Sequence, residues 1–126
     1  MKWVGQLGCV LSLTLAAGAV DCAWSAEEEF LADVARGEAL YKRYCRGCHG
    51  EEGKGEGVLF APPVNDFIKK GYIDQLPDSY LLLAIAKGGP AINKSSYMPG
   101  WEGALSMQEM LDLIAYLRSL PAGSAD

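Results

Sequence analysis

Two cysteines and a histidine stand within five consecutive positions, and they restrict this chain more than any other feature of its sequence. Cys45 and Cys48 are separated by two residues, and His49 follows directly. His49 is the only histidine in the chain, and the other two cysteines lie near the N-terminus. On a helix this spacing places both thiols and the imidazole within little more than one turn. A single bound group can therefore be held by all three side chains.

The spacing is the signature of haem attachment. Each thiol can form a thioether with one of the two vinyl groups of a haem, and the adjacent imidazole is then directed at the iron. A thioredoxin-like dithiol belongs in a βαβ context, and the chain shows no strand pattern. A zinc site needs four ligands, and this motif supplies three outside the carboxylates. We predict one covalently attached haem c, bound through Cys45, Cys48 and His49.

The first 25 residues have the layout of a secretory signal peptide. A positive start is followed by an uncharged run over residues 3–20 and then by small side chains. Ala23 and Ser25 stand at the −3 and −1 positions of a cut before Ala26, with a cut after Ala26 as the alternative. We predict a signal peptide over residues 1–25.

An uncleaved anchor helix is the second interpretation of this segment, because about 18 apolar residues can just span a bilayer. Lipid attachment at Cys22 is disfavoured by Asp21 directly before it. The mature domain is predicted over residues 26–126 in the periplasm, or held there by the N-terminal anchor. The net charge of −5 excludes nucleic acid as an expected partner.

Three predicted helices follow, joined by connections rich in glycine and proline. The first is expected over residues 30–48, with one face formed by residues at steps of three and four. That face contains Phe30, Val34, Gly37, Tyr41, Tyr44 and Cys48. A glycine within a helix costs roughly 1 kcal/mol relative to alanine. We therefore expect Gly37 to permit the close approach of another helix.

The second helix is predicted over residues 79–87, with Asp78 as its N-cap and a Gly-Gly-Pro sequence as its stop. The third begins with Ser106 and Glu109 in the arrangement of a capping box. Its apolar side chains then recur at helical steps until Pro121: Met110, Leu113, Ile114, Leu117 and Leu120. The sequence predicts an all-α fold.

The connections at residues 49–77 and 88–105 are long for a domain of this size, and such loops usually carry function. Met98 lies in the second connection, directly before Pro99, which restricts its backbone to an extended conformation. A thioether on this stiffened loop can reach the haem face opposite His49. We predict that His49 and Met98 are the two axial ligands of the iron.

The other two methionines of the mature domain lie in the last helix. We interpret Met107 and Met110 as packing residues, because methionine fills irregular gaps in cores. The same role is the alternative for Met98. Coordination by a histidine and a methionine raises the reduction potential relative to stronger donors.

The chain resembles the class I cytochromes c. Its first helix and motif match theirs in the pattern Gly37-x-x-Leu40-Tyr41-x-x-x-Cys45-x-x-Cys48-His49-Gly50. Residues 112–117 resemble their C-terminal helix. Residues 97–101 resemble the axial methionine loop of bacterial small cytochromes and oxidase-associated haem domains. The likeness extends over roughly residues 35–120.

The resemblance implies a cytochrome c fold of three to five helices around one haem. It also implies that the first and last helices cross, with Gly37 and Tyr41 against Leu113 and Tyr116. A ligating histidine usually donates its other ring N–H to an acceptor. By resemblance the acceptor is a proline carbonyl after the motif, at Pro62 or Pro63, and the sequence does not choose between them.

Trp101 has two interpretations. Its indole could cover the haem edge or donate to a haem propionate, or the ring could pack in the core. Lysines and arginines could surround the exposed haem edge, although Glu51, Glu52 and Glu56 interrupt them. We interpret most of these charges as a solvated surface.

The leading functional prediction is a monomeric periplasmic one-electron carrier that is not an enzyme. Its partners would be redox proteins, a reductase and an oxidase, with no membrane span after signal cleavage. One alternative is a haem subunit of a larger dehydrogenase or oxidase. Another is a haem enzyme or gas sensor with a displaceable sixth ligand.

Overall fold

The computed structural model describes residues 31–69 and 71–121. The predicted signal peptide, its cleavage site and Phe30 lie outside the described residues. Four α-helices are present in the described part of the chain: α1 at Val34–Tyr44, α2 at Arg46–His49, α3 at Asp78–Lys87 and α4 at Met107–Ser119. Two 3-10 helices, Ile73–Gln75 and Gly89–Ile92, lie on either side of α3. The predicted all-α fold is confirmed.

The predicted first helix is in fact two helices. Asp33 caps α1 by accepting a hydrogen bond from the Arg36 amide. α1 ends at Tyr44, because Cys45 departs from helical geometry with φ −113° and ψ −38°. The chain then resumes in the short helix α2, which Gly50 ends with φ 80°. Cys45 therefore separates α1 from the short helix that contains Cys48 and His49.

The N-terminus of α3 differs from the expectation. Asp78 is the first residue of the helix and not its N-cap, which is Pro77. The Asp78 carboxylate instead accepts two hydrogen bonds from Arg118 of α4, at 2.6 and 3.1 Å. The Asp78 carboxylate therefore binds Arg118 and does not cap α3.

The start of α4 confirms the capping box. Ser106 Oγ accepts from the Glu109 amide, and the Glu109 side chain accepts from the Ser106 amide. Met110 is buried at 4% exposure, as expected of a packing residue. The same prediction for Met107 is wrong, because this residue is 51% exposed. It is the first residue of α4, one turn before the buried part of the helix begins.

The core lies where α1 crosses α4. Gly37 and Tyr41 face α4, as predicted, and the Tyr41 and Tyr116 rings lie 5.2 Å apart between centroids. Leu113 is almost completely buried in the same core. Residues of α3 and the first 3-10 helix complete it: Ile73, Leu81 and Ile85. None of the helices among residues 31–69 and 71–121 is long and apolar enough to span a membrane.

Candidate cofactor site

A cavity of about 320 Å³ lies beside this core. Its walls are contributed by the segment after α2, the first 3-10 helix, α3, α4 and the segment before α4. Most of the lining is apolar, and Phe67, Ile85 and Leu117 are examples from three different elements. His49 and Met98, the two predicted ligands, both line it. Residues far apart in the sequence are therefore brought to one apolar chamber.

The end of α2 is fixed by backbone and side-chain hydrogen bonds. The Tyr41 hydroxyl is buried and donates to the Gly50 carbonyl oxygen over 2.8 Å. Burial raises the pKa of Tyr41, so the hydroxyl keeps its proton and remains a donor. The Gly55 amide donates to the His49 carbonyl oxygen, also over 2.8 Å. Tyr41 lies where α1 crosses α4, and its hydrogen bond to Gly50 holds the end of α2, where His49 lies.

The His49 imidazole is held as a neutral base. Its ring stacks on Phe67 with 4.6 Å between centroids. Burial lowers the pKa of His49 to about 4, because the apolar surroundings disfavour the imidazolium. At neutral pH the ring therefore carries a free lone pair, which is the form that binds a metal.

The predicted hydrogen bond from His49 to a proline carbonyl is not formed. Nδ1 of His49 is buried and has no hydrogen-bond partner among the described residues. Pro62 and Pro63 line the same cavity, but neither carbonyl accepts a hydrogen bond from this nitrogen. The ring stacks on Phe67 instead, with 28° between the two ring planes. A buried polar atom without a partner is rare and marks a place where a ligand belongs.

The two motif cysteines are free thiols and are half-buried. Burial, and secondarily the neighbouring Cys48, raise the pKa of Cys45 to about 12. The segment after the motif folds back over them, since the Leu59 amide donates to the Gly47 carbonyl oxygen over 2.8 Å. Gly57 lies against the backbone of Gly47 and Cys48, where a side chain would not fit. The thiols are held at one fixed place beside His49.

Met98 is half-buried and is held by the first residue of the second 3-10 helix. The Gly89 amide donates to the Met98 carbonyl oxygen over 3.0 Å. The ring of Tyr97 packs on Phe60, with 5.3 Å between centroids. These contacts fix the backbone on both sides of the thioether, so that the side chain meets the cavity from a stiff loop.

Trp101 lies outside the residues that line the cavity. Its ring packs on Tyr44 with 5.2 Å between centroids, and its amide donates to the Ile85 carbonyl oxygen over 2.9 Å. The core-packing interpretation of Trp101 is the one that the structure favours. Its backbone bond also ties the methionine loop to α3.

Two residues of the site, Phe67 and Arg118, were not found from the sequence. Phe67 lies in a connection without periodicity, so nothing in the pattern marked it as the partner of His49. Arg118 donates to the carbonyl oxygens of Ile73 and Leu76, which belong to the cavity wall. A lysine, Lys94, also lines the cavity. The sequence marks Arg118 only as a basic residue in the last turn of a capped helix.

These residues fit a haem. The apolar walls suit a porphyrin, and the neutral imidazole with an unpartnered Nδ1 and the thioether suit iron. Cys45 and Cys48 are not among the lining residues, but they directly precede His49 at the spacing that haem attachment needs. Cys45, Cys48, His49 and Met98 are the residues that would hold it.

Comparison with known proteins agrees with this fit. The family model described as "Cytochrome C oxidase, cbb3-type, subunit III" matches residues 32–117. The chain is 31% identical over 91 residues to the cbb3-type cytochrome c oxidase subunit FixP of Bradyrhizobium diazoefficiens, which covers 72% of this chain and 29% of that protein. It is 36% identical over 87 residues to a nicotinate dehydrogenase subunit of Pseudomonas putida, covering 68% of this chain and 7% of that protein.

The solved structure of cytochrome c6 from the diatom Phaeodactylum tricornutum superposes with a TM-score of 0.50 at 25% identity, covering 68% of this chain and 91% of cytochrome c6. The chain spans less than a third of the length of the two curated relatives. The family match nevertheless extends over most of the described residues. The chain therefore belongs to the family described as cytochrome c oxidase, cbb3-type, subunit III, and is a small class I c-type cytochrome.

Proposed function

We propose that this protein is an exported, periplasmic one-electron carrier with a single haem c, joined by thioethers to Cys45 and Cys48 and ligated by His49 and Met98. One observation carries the proposal: the His49 imidazole and the Met98 thioether line the same apolar cavity. Bound haem supplies reversible one-electron exchange at its iron. The protein then has to hold the iron, fill both axial positions and exclude water.

The chain's own residues meet these three requirements. The neutral His49 would offer a ring-nitrogen lone pair to the iron, while its stacking on Phe67 limits rotation of the ring. Met98 offers a thioether from a loop held by Gly89. His49 and Met98 would both hold the iron, so that no position on it would stay open to a substrate. These features favour a carrier over an enzyme or a gas sensor.

Replacement of Met98 tests this ligation. In haem-loaded Met98→Ala protein we expect the thioether–iron charge-transfer band to disappear, the reduction potential to fall and CO to bind rapidly to the reduced form. Met107→Ala is the matched control, because Met107 is exposed on the first turn of α4. An unchanged Met98→Ala spectrum would contradict the proposal. High-spin iron or rapid CO binding in the wild type would favour the enzyme or sensor.

Attachment and export can be tested on the same preparation. Intact mass measurement of the exported protein should give a chain that begins at residue 26 or 27 and carries the mass of one haem. Cys45→Ala and Cys48→Ala should each leave a single thioether, visible as a shift of the reduced α-band. A protein retaining residues 1–25 would support the anchored form instead of the cleaved one.

A second candidate function is a haem subunit of a larger oxidase or dehydrogenase. The names of two relatives favour it, since FixP is an oxidase subunit and the other is a subunit of nicotinate dehydrogenase. Gentle detergent extraction followed by size-exclusion chromatography and haem staining separates the two candidates. Elution as a monomer supports the free carrier, whereas elution with a larger complex supports the subunit.

A further inference from the structure

Lys94 is the one permanently charged side chain among the described residues that line the cavity. The residue as a whole is exposed, which places it at the rim of the chamber. Within residues 31–69 and 71–121, no aspartate or glutamate lines the cavity. Lys94 therefore places a positive charge, without an acidic neighbour on the lining, at the edge of the apolar cavity.

Two other cations near the site have acidic partners. Lys87 pairs with Glu102 over 2.6 Å, and Arg46 pairs with Glu51 over 2.7 Å. Lys94 takes part in no ion pair and no side-chain hydrogen bond with the described residues. The polar neighbour of Lys94 on the lining is already engaged, since Ser95 Oγ accepts from the Tyr97 amide over 3.2 Å.

The backbone of Lys94 is fixed relative to Met98 through one residue. The Gly89 carbonyl oxygen accepts from the Lys94 amide over 2.8 Å, while the Gly89 amide donates to the Met98 carbonyl oxygen over 3.0 Å. Asn93, directly before the lysine, has a left-handed backbone with φ 56°, which turns the chain at this point. The lysine and the proposed axial methionine are therefore anchored to the same short 3-10 helix.

We propose that Lys94 binds a carboxylate of the haem at the rim of the cavity and thereby raises the reduction potential of the iron. The inference rests on the proposed function, since it needs the haem in this cavity. A haem carries two propionate carboxylates on one edge, and Lys94 Nζ supplies a compact charge with three donors. Neutralising a propionate removes negative charge near the iron and so disfavours the ferric state relative to the ferrous state.

The test uses the full, haem-loaded protein and two lysine variants with a control. Lys94→Gln should shift the midpoint potential downward, with the larger shift at low ionic strength, because part of the charge is screened by salt. Lys94→Arg should restore most of the potential. Lys87→Gln is the control, because Lys87 pairs with Glu102 and does not line the cavity.

Two spectra show how the lysine acts. The thioether–iron band should be retained in Lys94→Gln, and the carboxylate bands of the redox-induced infrared difference spectrum should shift. A midpoint potential equal to that of Lys87→Gln would overturn the inference, as would loss of the thioether band, which would assign Lys94 to positioning Met98. The Met98→Ala experiment separates the two proposals: if that variant behaves as expected and Lys94→Gln does not, only the lysine inference fails.

Discussion

Gly37 of α1 lies directly against the backbone carbonyl of Asp112 in α4. A methyl group at Gly37 would lie 2.6 Å from the Asp112 carbonyl carbon, closer still to its oxygen, and 2.9 Å from Cβ of Tyr116. Real Cβ atoms do not approach backbone this closely, and backbone cannot turn aside as a side chain can. The crossing of the two helices thus depends on the absence of a side chain at this position.

Gly37→Ala should therefore destabilise the haem-loaded protein by about 1–3 kcal/mol, the usual cost of overpacking a core. Alanine is better than glycine in a helix by about 1 kcal/mol, so a net loss would mean that the steric clash outweighs this gain. Denaturant unfolding monitored by circular dichroism measures the difference.

Gly103→Ala is the matched control for this substitution. None of the described residues lies within 4 Å of a methyl group at Gly103, so its unfolding free energy should change by less than about 0.5 kcal/mol. Equal stability of the two alanine variants would show that α1 and α4 do not meet as closely as described.

Asp112 should make stability depend on pH. Its carboxylate is fully buried and accepts hydrogen bonds from Arg36 Nε, from the Asp33 amide over 2.8 Å and from Gln108 Nε2 over 2.9 Å. Burial raises the pKa of Asp112, but these bonds lower it further, and the net shift is downward. The unfolded chain then takes up the proton more readily than the native protein.

The stabilisation from Asp112 is consequently complete above the ordinary carboxyl pKa of about 4 and is lost as pH falls through the lower native pKa. Asp112→Asn should lower the unfolding free energy by about 1–3 kcal/mol at pH 7, because the buried donors lose a charged acceptor. The deficit relative to wild type should shrink below about pH 4. Glu38→Gln, in an exposed pair with Lys42, is the control and should show no such trend. A deficit that stays constant with pH would contradict this role.

The local parts of the fold and site followed from the sequence. The motif, the capping box of Ser106 and Glu109 and the close approach at Gly37 depend on residues near one another or on one helix face. The cytochrome c fold came from the resemblance, and the comparisons confirm it. Met98 lines the same cavity as His49, and its role as an iron ligand stays a prediction.

The parts that could not be predicted depend on contacts distant in the sequence. Asp78 is drawn from the expected capping role by Arg118, forty positions away. The break at Cys45 has no proline or glycine at its own position to mark it. Phe67 stacks on His49 across a connection that carries no periodic pattern. Local propensity gives no information about such contacts, which form only when the chain packs.

Arg118 should stabilise the cavity wall at Ile73 and Leu76 through its hydrogen bonds. Its guanidinium donates to the carbonyl oxygens of Ile73 and Leu76 and to the Asp78 carboxylate. Arg118→Met keeps the apolar length but removes every donor, so it should cost about 1–3 kcal/mol and raise amide exchange over residues 71–77.

Asp78→Asn distinguishes the contribution of the Arg118–carbonyl hydrogen bonds from that of the Arg118–Asp78 ion pair. The Asp78 side chain is 69% exposed, and exposed ion pairs contribute little, so this variant should lose far less stability than Arg118→Met. Denaturant unfolding with hydrogen exchange detected by mass spectrometry measures both quantities. If Arg118→Met and Asp78→Asn lower the unfolding free energy equally, the hydrogen bonds to the two carbonyl oxygens do not stabilise the wall.

Gly89 should control the ligation of iron by Met98 without touching the haem. A methyl group at Gly89 would lie 2.9 Å from the Ser95 carbonyl carbon and closer still to its oxygen, so Gly89→Ala must displace the segment that leads to Met98. The same substitution strains the hydrogen bond from the Gly89 amide to the Met98 carbonyl oxygen. An overpacking cost of about 1–3 kcal/mol, if it falls on the ligated form, weakens methionine binding about five- to 150-fold.

We expect a weaker thioether–iron band and faster CO binding to the reduced protein, while Gly103→Ala leaves both unchanged. A Gly89→Ala band of wild-type intensity would mean that Gly89 does not hold the methionine loop in place.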